Sequence, residues 1–216
     1  MPLVKSSIVS GLTMILLFTV TAVIAEGEGQ TVIQRSGDPV AGGEKSQLCQ
    51  GCHGEFGHST VGLIPKLAGQ YAKYIEKQVR DYQAGTRTHQ IMNAMAGTIN
   101  EESDLADIAA YFARQSKMKG DGSGDNKLGK NLFLHGDNTK MRLACVNCHG
   151  VNGKGPDPRI SMFPVIGGQH KDYLRKQLVD FRDGTRTNSP RGIMNIVAKS
   201  LTDAEIEALA EYISGK

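Results

Sequence analysis

The chain has 216 residues, of which 39% are hydrophobic and 22% are charged, and its formal net charge is +3 at pH 7. This composition is ordinary for a soluble globular protein of one large or two small domains, and it excludes a mainly disordered chain. Because the charge is low and no run of basic residues is present, the sequence does not predict nucleic-acid binding.

The first predicted element is an export signal over residues 1–25. Lys5 is the only charged residue in this range, and the run from Ile8 to Ala25 is almost wholly apolar and ends in a small residue. An uncleaved membrane anchor is the alternative, since about 18 apolar residues is the lower limit of a membrane span. Either form predicts an exported protein, in which two disulfides would be the first interpretation of four cysteines.

The remainder of the chain contains one unit twice. Residues 49–112 align with residues 145–213, and the best matching stretches are IPKLAGQYAKYIEKQVRDYQAGTRT at 64–88 and FPVIGGQHKDYLRKQLVDFRDGTRT at 163–187. Between the copies, KMKGDGSGDNK at 117–127 has no apolar periodicity and indicates a linker or a tight turn. We therefore predict a tandem duplication, with an N-terminal domain over 26–118 and a C-terminal domain over 119–216.

Both copies show helical periodicity. Apolar residues recur at helical spacing before Gly85 and before Gly184, so a helix is predicted to end at each glycine. Thr202 and Glu205 have the spacing of a capping box at the start of the last helix. No stretch alternates as a strand would, and the predicted fold class is all-α.

All four cysteines belong to two C-x-x-C-H motifs, CQGCH at 49–53 and CVNCH at 145–149. In a helix these three side chains project from one face, so two thioether bonds can hold a porphyrin edge below which the imidazole reaches the iron. A redox dithiol would need a βαβ pattern, and a zinc ion shared by both pairs leaves the histidines unexplained. The spacing is that of c-type haem attachment. We predict two covalent haem c groups, held by Cys49, Cys52, Cys145 and Cys148, with His53 and His149 on the irons.

The sixth ligand of each iron decides between electron transfer and catalysis, because methionine closes a position that an enzyme keeps open. Met194 is the predicted ligand in the second copy, with Met162 as a weaker competitor. In the first copy Met92 aligns with Met194, whereas Met95 aligns with Val197, so Met92 is predicted and Met95 is the alternative. The remaining histidines have no counterpart in the other copy and are predicted at the surface: His58, His89, His135 and His170.

The two motifs, the P-x-L-A-G-Q and P-x-x-G-G-Q loops that begin at Pro65 and Pro164, the stretch FRDGTRTN and the closing LAEYI resemble the di-haem cytochrome c4 family of bacteria. The resemblance extends over nearly all of residues 26–216. It implies two class I cytochrome c domains related by a pseudo-twofold axis, with one covalent haem in each. It also implies that the carbonyls of Pro65 and Pro164 accept the N–H of the axial histidines.

The resemblance further implies a function. Members of this family are periplasmic electron carriers, often associated with the membrane, and they are not enzymes. The expected donor is a quinol-oxidising complex or another redox protein, and the expected acceptor is a terminal oxidase or reductase. The alternative is a di-haem electron-transfer subunit of an enzyme complex such as flavocytochrome c sulfide dehydrogenase.

Charge is distributed unevenly between the two copies. Residues 26–118 contain 9 basic and 11 acidic side chains, whereas residues 119–216 contain 15 basic and 11 acidic side chains. This asymmetry predicts a dipole that orients the encounter with a redox partner, with the basic half towards an acidic partner. A solvated surface with no directional role is the alternative.

Overall fold

The structure is a computed structural model that describes residues 2–3, 36–140, 142–156 and 162–216. The predicted export signal therefore lies outside the described residues, apart from positions 2 and 3. The described residues from 36 onward belong to one compact unit. No helix in the described part of the chain is both long and apolar enough to cross a membrane.

Ten α-helices occur in the described residues, five in each half of the chain. The N-terminal half contains α1 Pro39–Lys45, α2 Gln47–His53, α3 Ala72–Gln83, α4 Gln90–Ala96 and α5 Glu102–Arg114. The C-terminal half contains α6 Lys127–His135, α7 Val146–His149, α8 Lys171–Asp183, α9 Ile193–Ala198 and α10 Asp203–Ser214. Within these ranges the only extended pairing is an isolated bridge between Asp137 and Arg142. The all-α prediction is confirmed.

The helices pack in the same way in both halves. Helices α1 and α3 pack on α5, and their counterparts α6 and α8 pack on α10. A glycine lies at each crossing of the first and last helices: a Cβ on Gly42 would clash with the backbone carbonyl of Asp107, and one on Gly129 with that of Ala208. These glycines therefore allow the two helix backbones to contact each other directly, and any larger residue at these positions would disturb that close packing.

The predicted helix ends are also found. Gly85 follows α3 and Gly184 follows α8, and both have positive φ angles, of 70° and 79°. At the start of α10 the Thr202 side chain accepts from the backbone N–H of Glu205, and the Glu205 side chain accepts from that of Thr202. The capping box is thus confirmed, and its two bonds satisfy N–H groups that a helix start leaves without partners.

The segment between the halves is packed against them. Met118 is fully buried, and it forms a small apolar cluster with Tyr71 of the first half and Val165 of the second. The backbone N–H of Met118 donates to Ala68, and its carbonyl accepts from the Lys154 ammonium at 2.7 Å. The beginning of the predicted linker therefore contributes to the contact between the halves.

Candidate haem-binding sites

Each C-x-x-C-H motif folds as one turn of helix or more. Cys49, Cys52 and His53 lie on α2, which ends at His53, and Cys145 is the residue that precedes α7, which ends at His149. In both motifs the histidine is followed by a glycine with positive φ, Gly54 at 81° and Gly150 at 72°. The glycine ends the helix directly after the histidine and turns the chain away.

Both motif histidines are buried and bonded to a proline carbonyl. The Nδ1 atom of His53 lies 2.8 Å from the Pro65 carbonyl oxygen, and that of His149 lies 2.9 Å from the Pro164 carbonyl oxygen. A carbonyl can only accept, so Nδ1 carries the proton and Nε2 has a free lone pair. Burial lowers the pKa of both rings, although the carbonyl opposes that effect. Burial therefore favours the neutral imidazole, which is the form that binds metals.

None of the four cysteines is in a disulfide. Burial raises the pKa of the Cys49 thiol, and it raises the pKa of the Cys145 thiol to about 11. Redox-active dithiols have a lowered pKa instead. Among the described residues no cluster of three or more His, Cys, Asp or Glu side chains is placed to bind a metal ion. The arrangement therefore favours neither the disulfide, nor the redox dithiol, nor the shared zinc ion.

One cavity of about 940 Å³ connects the two halves. All ten predicted site residues line it: the four motif cysteines, the two motif histidines, the two prolines, Met92 and Met194. Such a volume lies at the upper end of the range for ligand sites. Covalent haem c requires cysteine thiols to bond to the porphyrin, and histidine Nε2 and methionine sulfur atoms are suitable ligands for its iron. The residues that line the cavity therefore fit two such groups.

The structure brings four methionines to the wall of the cavity. Met92 and Met95 both lie on α4, Met194 lies on α9, and Met162 lies in the loop before Pro164, with 52% of its surface exposed. In α9 the position that corresponds to Met95 is Val197, which also lines the cavity. Both α4 methionines thus reach the cavity, and the preference for Met92 continues to depend on the repeat.

Two asparagines position the methionine helices, a role that the sequence reasoning missed. Asn93 Nδ2 donates to the carbonyls of Tyr82 and Arg87, at 2.6 and 3.2 Å. Asn195 Nδ2 donates to the equivalent pair, Phe181 and Arg186, at 2.8 Å each. The repeated tripeptide IMN was the available signal, because each asparagine follows the methionine in that run.

Each GTRT run contains an arginine whose side chain donates hydrogen bonds to the opposite half. Arg87 Nη2 donates to Tyr173 Oη at 3.0 Å and to Gln177 Oε1 at 2.9 Å. Arg186 Nη2 donates reciprocally to Tyr74 Oη at 3.2 Å and to Gln78 Oε1 at 3.1 Å. Both guanidinium groups are buried. The exchange of equivalent bonds gives the two halves the pseudo-twofold relation that the resemblance implied.

Three of the four remaining histidines lie at the surface, as predicted: His58, His89 and His135 are exposed. The prediction is wrong for His170, which is half-buried, and whose Nε2 atom lies 2.8 Å from the Ser59 carbonyl oxygen of the other half. A bond between residues so distant in the chain has no local sequence signal, so the absence of a repeat counterpart was misleading.

An all-α fold that occurs twice, with a C-x-x-C-H helix in each half facing one apolar cavity, defines a di-haem c-type cytochrome. A family model described as cytochrome c matches residues 40–116 and 127–215. Cytochrome c4 of Pseudomonas aeruginosa is 42% identical to the chain, over 83% of this chain and 89% of that protein. The crystal structure of reduced recombinant cytochrome c4 from Pseudomonas stutzeri is 41% identical, with a TM-score of 0.75, over 83% of this chain and 98% of that one.

The chain belongs to the cytochrome c4 family. It is an electron-transfer protein that carries two covalently bound haem c groups. A further relative is the thiosulfate dehydrogenase electron acceptor of Stutzerimonas stutzeri, which is 32% identical over 92% of this chain and 90% of that protein.

Proposed function

We propose that the protein is a periplasmic shuttle of single electrons in which both irons have one histidine and one methionine ligand. His53 and Met92 would bind the iron of a domain over 26–118, and His149 and Met194 that of a domain over 119–216. Cys49, Cys52, Cys145 and Cys148 would form the thioether bonds. The observation that supports this proposal is the repeated arrangement of buried histidine, proline carbonyl and methionine around one cavity.

The bound haem supplies an iron that gains or loses one electron. The chain contributes the surroundings of that iron. The proline carbonyls fix the histidine rings, so each Nε2 atom keeps its direction in both oxidation states. Asn93 and Asn195 fix the helices of the methionines. The wall of the cavity is mostly apolar, and a methionine in the sixth position would leave no open site on the iron for peroxide or substrate, which favours electron transfer over catalysis.

The proposed partners are a quinol-oxidising complex or another donor, and a terminal oxidase or reductase as acceptor. Residues 1–25 support export to the periplasm, either as a cleaved signal or as a membrane anchor. A second candidate is that the protein accepts electrons from one particular dehydrogenase. The similarity to a thiosulfate dehydrogenase electron acceptor favours this candidate over a flavocytochrome c sulfide dehydrogenase subunit.

Spectroscopy of three methionine variants tests the ligand assignment. In the ferric protein, each iron bonded to a methionine sulfur gives a weak long-wavelength charge-transfer band, and we expect two such contributions. Met92→Ala and Met194→Ala should each remove one contribution, lower the potential of that haem, and open its ferrous iron to carbon monoxide. Met95→Ala is the matched control, because Met95 lies on the same helix and lines the same cavity.

Two outcomes would contradict the assignment. If Met95→Ala removes the band and Met92→Ala does not, the first iron has the other ligand. If either haem of the unaltered ferrous protein binds carbon monoxide, that iron has an open position, and catalysis becomes the better interpretation. Stopped-flow reduction by a quinol-oxidising complex and by a thiosulfate dehydrogenase, compared at equal concentrations, would distinguish the two candidate functions.

A further inference from the structure

Two glutamines exchange hydrogen bonds between the halves, and we call Gln70 and Gln169 the interface glutamines. Gln70 Nε2 donates to the Val165 carbonyl at 2.8 Å, and Gln70 Oε1 accepts from the Val165 N–H at 3.0 Å. Gln169 Nε2 donates to the Lys66 carbonyl at 3.0 Å, and Gln169 Oε1 accepts from the Lys66 N–H at 2.9 Å. Each side-chain amide therefore pairs with the backbone of one residue in the opposite half.

These two backbone positions directly follow the prolines that bind the motif histidines. The N–H of Val165 belongs to the same planar peptide group as the carbonyl of Pro164, which accepts from His149. In the same way the N–H of Lys66 shares a peptide group with the Pro65 carbonyl, which accepts from His53. One rigid group is thus bonded at its N–H by a glutamine of the opposite half and at its carbonyl by its own histidine.

We propose that Gln70 and Gln169 are positioning residues, each of which sets the strength of the axial-histidine hydrogen bond, and so the reduction potential of the haem, in the opposite half. An N–H that donates polarises its peptide group, which makes the carbonyl of that group a better acceptor. A better acceptor draws the Nδ1 proton and makes the imidazole a stronger donor to iron. The inference depends on the proposed function, because it requires His53 and His149 to be ligands.

The geometry restricts each glutamine in its own half as well. Gln70 Oε1 also accepts from the Tyr71 N–H at 3.1 Å, and Gln169 Oε1 from the His170 N–H at 3.0 Å. The interface glutamines are only 5% and 4% exposed. Each is therefore fixed at the start of α3 or α8, and the docking of one half on the other determines how its amide meets the proline loop.

The two backbone positions that bond to the interface glutamines differ in their access to water. Val165 is 1% exposed, whereas Lys66 is half-buried. Water can pair with the Lys66 backbone when Gln169 is replaced, but it cannot reach Val165 as easily when Gln70 is replaced. The effect of Gln70 on His149 should therefore exceed that of Gln169 on His53.

The test uses the full-length holoprotein with Gln70→Leu and Gln169→Leu, which remove the hydrogen bonds at similar side-chain volume. In the ferrous protein labelled with ¹⁵N-histidine, NMR follows the Nδ1 protons of the two axial histidines. Gln70→Leu should speed the exchange of the His149 proton by about tenfold and leave that of His53 unchanged, since weakening one bond exposes one proton. Gln169→Leu should give the mirror result with a smaller change.

Voltammetry of the same variants gives the second readout. A weaker histidine donor stabilises the ferric iron less, so the potential of the opposite haem should rise. We expect a change of up to about tenfold in the ferric–ferrous equilibrium, which is ~59 mV for a one-electron couple. Tyr74→Phe is the matched control, because it removes one hydrogen bond across the same contact, from Arg186, and keeps the aromatic ring that packs near Val165.

Three outcomes would overturn the inference: a change confined to the glutamine's own half, equal changes in both halves, or changes no larger than those of Tyr74→Phe. If Gln70→Leu fails to fold, Gln169→Leu decides, because water can replace its bonds. Absence of iron-ligand signals from His53 or His149 in the unaltered protein would refute the ligand assignment itself. Their presence, without movement in either variant, would refute only the role of the interface glutamines.

Discussion

Among single residues, Glu205 links the capping of α10 to the charge of its surroundings. Its carboxylate accepts from the Thr202 N–H and pairs with Lys140 and Arg142, each at 3.1 Å. Burial alone would raise the pKa of Glu205, but the bonds from Thr202, Arg142 and Lys140 outweigh burial and lower that pKa to about 2. The surroundings of this helix start therefore favour the ionised carboxylate.

This lowered pKa predicts a pH dependence of stability. A carboxyl whose pKa falls on folding stabilises the protein above its unfolded pKa of about 4.3, and this stabilisation is lost as pH falls towards 2. Urea unfolding of the holoprotein from pH 6 to pH 2 should show that Glu205→Gln removes roughly 1–3 kcal/mol at pH 6 and little at pH 2. Glu207→Gln, an exposed neighbour on α10, is the control. Equal effects of both variants at pH 6 would contradict the prediction.

At the scale of helices, the crossings of α1 with α5 and of α6 with α10 determine the shape of each half. Gly42→Ala and Gly129→Ala should each lower the free energy of unfolding by about 1–3 kcal/mol, because a methyl group would push two backbones apart. Gly51→Ala is the matched control, since this helical glycine has open space around it and alanine favours helix by up to ~1 kcal/mol. Denaturant titration measures all three, and a loss in Gly51→Ala as large as in the others would contradict the steric explanation.

Local elements of the fold could be predicted from the sequence because their causes are local. The ends of α3 and α8 follow from a glycine, and the start of α10 follows from Thr202 and Glu205 three positions apart. The C-x-x-C-H spacing likewise indicates the cofactor, because all of its chemistry lies within one helical turn. Repetition in the sequence then indicated that the glycine helix ends and the C-x-x-C-H motif occur twice, whereas α5, the counterpart of α10, starts without a side-chain cap.

Contacts between the halves could not be predicted in this way. Gln70 bonds to Val165, which lies 95 residues later in the sequence, and Arg87 bonds to Tyr173, which lies 86 residues later. The matching residues were visible in the repeat, but a repeat does not say whether two equivalent side chains face their own half or the other one. The same limit explains why His170 was placed at the surface, although its ring is bonded to the other half.

For the whole molecule, the two halves differ in the apolar clusters that lie beside the shared cavity. In the described residues the apolar cluster of the C-terminal half has eleven buried members, including Phe133 and Leu209, whereas that of the N-terminal half has four, including Phe112. Cys49 packs against the smaller cluster, and Cys145 and Met194 pack against the larger one. Other buried apolar residues of the N-terminal half, such as Tyr82 and Leu105, lie outside its cluster. A bound haem would therefore join a less continuous apolar core in the N-terminal half than in the C-terminal half.

Loss of the N-terminal haem should consequently lower stability more than loss of the C-terminal haem does. Cys49→Ser with Cys52→Ser should lower the unfolding free energy of the N-terminal half by roughly 3–5 kcal/mol or more, because it opens a large cavity beside a small core. The C-terminal half should also melt earlier, since Arg87 and its partners cross between the halves. Cys145→Ser with Cys148→Ser should cost less, because eleven buried residues still support that half. Thermal melts followed by the absorbance of the remaining haem measure both effects, and an unchanged melt of the C-terminal haem after loss of the first would show that the halves are stable independently.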